Sequence, residues 1–202
     1  MTRGVERALI ALLAVAASWS ALADGVAERL VSAARERTRH HEIYDGSYRR
    51  IGYPMGDVAD DRGVCSDLVI RAYRRVGVDL QVAVHEDMMR HFSAYPANWG
   101  LRRPDPNIDH RRVPNLQRFL KRTGAAVPVT AEAGDCHAGD LVTWMLPGNL
   151  PHIGIVSDRK VWTTGRPKVI HNVGAGPVED DSLFRYPITG HYRWDAGRQH
   201  AR

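Results

Sequence analysis

The first strong pattern along the chain is an unbroken apolar run, Ala-Leu-Ile-Ala-Leu-Leu-Ala-Val-Ala-Ala over residues 8–17. It follows the basic residues Arg3 and Arg7 and closes on the small–x–small triplet Ala21-Leu22-Ala23. A basic start, an apolar middle and a small-residue end predict a secretory signal peptide cleaved after Ala23. The run is too short for an anchor, since a spanning helix needs ~20 apolar residues. No cysteine follows it to carry a lipid, and no later stretch is apolar enough to cross a bilayer. The mature chain is expected to be soluble and periplasmic or secreted, forming a single domain over residues 24–202.

Beyond the leader, apolar positions recur at helical intervals. Val26, Leu30, Val31 and Ala34 line one face of a helix predicted over 25–39, with Asp24 as its N-cap. Leu68, Val69, Ala72, Tyr73 and Val76 do the same for Cys65–Val76, and Gly77 is placed to end it as a C′ residue. A short helix over 84–91 and another over Val113–Thr123, closed by Gly124, complete the helical half. Turns are predicted at 44–48 and 53–57. After Gly134 the period falls to two. Leu141–Met145, His152–Ser157, Lys168–Asn172 and His191–Trp194 read as short strands between Gly- and Pro-containing turns. Helices first and strands afterwards predict an α+β domain, with N-terminal helices packed on a C-terminal antiparallel sheet.

Composition narrows the class without naming a function. The 202 residues are 44% hydrophobic and 25% charged, which excludes a disordered or collagen-like chain. Two cysteines, Cys65 and Cys136, are too few for a disulfide scaffold or a four-thiolate zinc site, and their spacing excludes a CxxC motif. Export permits them to pair with each other. Removing Arg3, Arg7 and Glu6 from a chain of net charge +5 leaves +4. A polyanionic cell envelope is a simpler partner for that charge than nucleic acid, for which no binding motif is present. Neither His40-His41 nor Asp109 with Arg111 forms a ligand set, and HExxH is absent, so no metal and no cofactor are expected.

The chemistry concentrates on one cysteine and two histidines. Cys65 opens a predicted helix, where unpaired N–H groups and the positive end of the macrodipole favour a thiolate. His152 opens a strand in which His152, Gly154 and Val156 share one face. Gly154 leaves room beside the imidazole for a chain segment or a substrate. His171 lies on the next strand, with Asn172 on the opposite face. A thiol, an imidazole base and a group that orients the base are the parts of a cysteine hydrolase, provided the helix end meets the sheet face. Read from the residues alone, Cys65 fits a small core hydrophobe better than a nucleophile, His152 a hydrogen-bonded surface residue, and His171 equally a structural one.

Three blocks carry a family resemblance: Tyr53–Asp57 with Gly63–Tyr73, Arg103–Leu116, and Leu150–Ser157. Together they resemble an uncharacterised family of exported bacterial proteins, from about residue 30 to residue 194. Cys65-Ser66, Gly139-Asp140-Leu141-Val142, His152-Ile153-Gly154-Ile155 and Val169-Ile170-His171, in that order, also resemble the NlpC-type, papain-like cell-wall peptidases. That resemblance implies a papain-like fold, catalytic Cys65, His152 and His171, and Tyr53 near the oxyanion site. It also implies that Cys65 stays free of Cys136. One feature departs from those peptidases. They carry Asp immediately before the cysteine to hold a stem-peptide amine, whereas here Val64 stands there and the carboxylate is Asp67.

Around this centre Tyr53, Ser66, Asp67, Asp109, Arg111 and Arg112 are the candidate oxyanion and substrate residues. The Asp105–Arg112 segment either lines a cleft, with Arg111 or Arg112 gripping a substrate carboxylate, or forms a buried polar network. Trp99, Trp144 and Trp162 are aromatic enough to stack on sugars, but packing or simple exposure accounts for each. The expected activity is amide hydrolysis on peptidoglycan peptide stems. The alternatives are a non-catalytic wall-binding or accessory protein and an acyltransferase on the same fold. Peptidoglycan or peptide substrate and a protein inhibitor are the partner classes left open.

Overall fold

The computed structural model describes residues 25–194. The leader predicted over 1–23 and the cap predicted at Asp24 lie outside them. Four helices precede most of the strands: α1 over 25–37, α2 Cys65–Arg75, α3 Leu80–His91 and α4 Val113–Arg122. Six strands form one antiparallel sheet in the order β3-β8-β4-β5-β6-β7: β3 Ala126–Val127, β4 Leu141–Leu146, β5 Leu150–Lys160, β6 Pro167–Asn172, β7 Pro177–Asp180 and β8 Ile188–Tyr192. The α+β architecture is as the periodicity predicts. Among the described residues no helix is long and apolar enough to cross a membrane.

The sheet has two unlike faces, and strand alternation sorts the residues between them. Leu141, Ile153, Ile155, Ile170 and Tyr192 meet Leu68, Val69 and Tyr73 of α2 in the main core, which α1, α3 and α4 complete. Burying each such Leu or Ile contributes roughly 1.5–3 kcal/mol. Val142, Trp144, Val156 and Val169 point the other way, into a smaller cluster with Cys136 and Leu183. Trp144 is buried there and its indole N–H donates to Leu183 O at 2.9 Å.

Several boundaries differ from the expected ones. The third helix starts at Leu80, four residues early, because the Asp79 carboxylate caps it by accepting the Gln81 N–H at 3.0 Å. Gln81, polar yet buried, is held by Gly56 N–H, Gly52 O and Pro106 O, all at 2.8–3.0 Å. Residues 44–48, expected as a turn, begin inside a two-residue parallel pair, β1 Ile43–Tyr44 with β2 Arg62–Gly63. The strand β7 was not expected, and the last strand is Ile188–Tyr192 rather than His191–Trp194.

Candidate active site

Cys65 is the first residue of α2. Val64 caps the helix without a side-chain acceptor, so Asp67, three residues on, supplies the reciprocal half of a capping box by accepting the Val64 N–H at 2.7 Å. Only 3% of Cys65 is exposed. Its sulfur faces the N–H of Ser66, the N–H of Ile153 and the hydroxyl of Tyr44. Burial pushes the thiol up to about 11, against those three donors, and the Asp67 carboxylate adds to the rise. The acidic thiolate expected from the helix end is therefore not the resting state. Desolvation outweighs the first-turn N–H groups. The same contact raises the Tyr44 hydroxyl above the ordinary phenol range, with burial the larger cause.

The imidazoles form a chain. His152 Nε2 lies 2.9 Å from His171 Nδ1, and His171 Nε2 lies 3.0 Å from Asp180 Oδ1 on β7. A carboxylate only accepts, so Asp180 assigns the proton to His171 Nε2. His171 Nδ1 then accepts from His152 Nε2–H, and the free lone pair of His152 falls on Nδ1. Burial first, and then His171, hold the His152 pKa down to about 3. Both histidines are buried, whereas the Asp180 side chain is 39% exposed. Trp144 packs against both rings, at centroid distances of 5.8 and 6.2 Å.

The thiol and the imidazole do not share a face of the sheet. His152 and His171 sit on the Trp144 face, while α2 packs on the Ile153 face. Paired residues of β5 and β6 end at Ile155 and Ile170. Beyond that point Ile153 offers its N–H to Cys65, one residue from His152. No hydrogen bond joins Cys65 to His152 among the described residues. The space at Gly154 goes to the protein itself. A Cβ there would meet His171 Cβ and Ile170 O at 3.0 Å and Trp144 at 3.2 Å.

The other candidate residues divide into two groups. Ser66, Asp67 and Arg111 come together as scaffold: Arg111 grips Asp67 with two bonds of 2.8 and 2.9 Å, and the Ser66 hydroxyl donates to Arg111 O at 2.6 Å. Arg111 also donates to Asp45 O and Ser47 O, so it has no hand free for a substrate carboxylate. Asp109 lies in the buried network read as the alternative, accepting the Asp105 N–H, whereas Arg112 is only partly buried. Burial pushes Asp109 up to about 6. Arg112 stacks 4.2 Å from the centroid of the Trp99 ring, and its Nη1 has no hydrogen-bond partner. Tyr53 is not beside the thiol; it packs edge-on against His85 at 5.3 Å. The tyrosine beside the thiol is Tyr44. Cys136 is free, in the cluster across the sheet from Cys65, so the two do not pair. No group of three or more His, Cys, Asp or Glu side chains able to hold a metal occurs among the described residues.

Sequence reasoning missed Tyr44 and Asp180. Tyr44 precedes the cysteine by 21 residues and carries no spacing signal. Asp180 stands among acidic neighbours in a short strand, and only the β6–β7 register brings it to His171, whose partner is Val178.

The sequence of this α+β chain matches a family model. The model of a domain of unknown function, DUF1287, covers residues 31–194, and the chain belongs to that family. It is also 49% identical over 174 residues to the uncharacterized protein YijF of Escherichia coli (strain K12), covering 86% of this chain and 80% of the relative.

Proposed function

We propose that this chain is an exported cysteine amide hydrolase of papain-like, NlpC-type fold, acting in the periplasm or outside the cell on the peptide stems of peptidoglycan. The observation that carries the reading is the Asp180–His171–His152 relay, which ends one residue along β5 from the N–H that faces Cys65. In the reaction His152 Nδ1 takes the thiol proton and the sulfur attacks the amide carbonyl. The developing oxyanion is met by the Cys65 N–H, which has no intrahelical acceptor at this position, and by the Tyr44 hydroxyl. His152 then protonates the leaving amine, and water enters on the same base to release the acyl group from sulfur. Because Cys65 and His152 are both buried, the half-exposed Tyr44 side of the site must open for a substrate. Purified sacculi incubated with wild type and with Cys65→Ala, followed by mass analysis of soluble fragments, test this. New fragments from wild type alone support hydrolysis, and identical profiles remove it.

A second reading, a wall-binding protein that keeps the fold without turnover, is favoured by the neutral, buried thiol. It predicts that both proteins are retained on sacculi equally and release nothing.

A further inference from the structure

A concave feature lies apart from Cys65. An open cleft of ≈ 800 Å³ runs between α3, which contributes His85 and Met89, and the segment 100–107, with Tyr48 and Arg50 at its side. Its charge is one-sided. Arg50, Arg102 and Arg103 line it, and none of the three is paired with a carboxylate among the described residues. The one carboxylate in the lining, Asp105, is occupied by its own wall. It accepts from the Tyr48 hydroxyl at 3.0 Å and from the Asn107 backbone and side-chain nitrogens at 2.9 and 2.7 Å. That wall is braced in turn, since Asn107 accepts the Ile51 N–H at 2.9 Å and Gln81 of α3 donates to Pro106 O at 3.0 Å. Above it His85 Nδ1 is buried without a partner, and Tyr53 props the ring from the other side.

The cleft is tied to the nucleophile. Tyr48 follows Tyr44 by four residues, a span of at most ~14 Å even when fully extended. Arg111 clamps that stretch at Asp45 O and Ser47 O while holding Asp67 on the first turn of α2. We propose that this cleft is a subsite for the carboxylate-bearing part of a peptide whose scissile amide lies at Cys65. Planar guanidinium groups grip carboxylates two-pronged. Met89, Leu101, Pro104 and Pro106 add apolar surface that suits an organic chain and not a bare inorganic anion. The direction of the peptide rests on the hydrolase reading, but binding in the cleft is measurable without it.

The test is calorimetric titration of the full chain carrying Cys65→Ala at low ionic strength. The probes are the peptide Ala-Glu-Ala-Glu-Ala with a free C-terminus and its neutral counterpart, Ala-Gln-Ala-Gln-Ala amide. The acidic peptide is expected to bind about tenfold or more tightly than the neutral one. The exposed double change Arg102→Ala/Arg103→Ala is expected to remove that advantage, and Arg50→Ala to reduce it severalfold. Equal affinities, or an advantage that survives all three arginine changes, overturn the subsite. Displacement of the peptide by inorganic phosphate at equal concentration overturns its assignment to a carboxylate-bearing chain. Binding as expected, with identical sacculus profiles from wild type and Cys65→Ala, leaves the subsite standing and sinks the hydrolase. Cleavage with no peptide preference does the reverse.

Discussion

Asp67 and Arg111 meet in a buried, two-pronged ion pair, while His171 and Asp180 meet through one bond whose carboxylate is partly in solvent. The first holds the first turn of α2 and the second lies on the other face of the sheet, and they differ in what they can exchange. A guanidinium does not give up its proton, so the first cluster only fixes geometry: it anchors the Tyr44–Tyr48 stretch to the helix that carries Cys65. The second joins two imidazoles to a carboxylate and can pass a proton along. A charged pair deep in a fold is thus a poor guide to chemistry when each of its nitrogens already donates to the protein. The chain that ends at the surface is the more informative one.

The sharpest way to break this contrast is Arg111→Ala. It leaves Asp67 buried and unpaired, and the loss of stability is expected to be about 3–5 kcal/mol in denaturant titration. A loss under about 1 kcal/mol would mean that the pair is not the anchor described. His171→Ala is expected to act on the other side of the comparison, lowering the proposed hydrolysis about 100-fold with a much smaller change in folding stability. Equal damage to both would make His171 a structural residue.

Asp109 offers a subtler check within the buried network. Its pKa is about 6 in the folded chain against an ordinary 3.8, so the folded state keeps a proton that the unfolded chain has already released. Its contribution therefore weakens stability as pH rises from about 4 to about 6 and is level above that. Asp109→Asn is expected to flatten that slope and to raise stability at neutral pH by up to about 2 kcal/mol, read from unfolding curves across the range. The smallest effect is expected from Asp180→Asn. An amide accepts from His171 more weakly than a carboxylate, so turnover falls about tenfold while the melting temperature stays within a degree or two.

Much of the helical half was legible because its burial is periodic: α2 and α4 are found within a residue or two of their expected ends. The start of α3 was not, because its first turn buries Gln81, whose amide is satisfied by loop carbonyls and an N–H that no local pattern announces. Two-residue strands such as Ile43–Tyr44 are too short to show alternation. Of the candidate site, Cys65, His152 and His171 could be picked out from local motifs. Tyr44 in place of Tyr53, the Asp67–Arg111 pair 44 residues apart, and Asp180 could not, since each depends on a long-range register. The acidity expected of Cys65 failed for a related reason. The helix end is visible in the sequence, but the depth at which it is buried is not.

The two cysteines supply the most direct test of whether His152 serves the thiol. Cys136 lies across the sheet and acts as an internal reference. Iodoacetamide labelling at pH 8, read by peptide mass mapping, gives the ratio of Cys65 to Cys136 alkylation rates in wild type and in His152→Ala. Removing the imidazole is expected to lower this ratio about tenfold or more, with the Cys136 rate unchanged. A ratio that stays the same would contradict it.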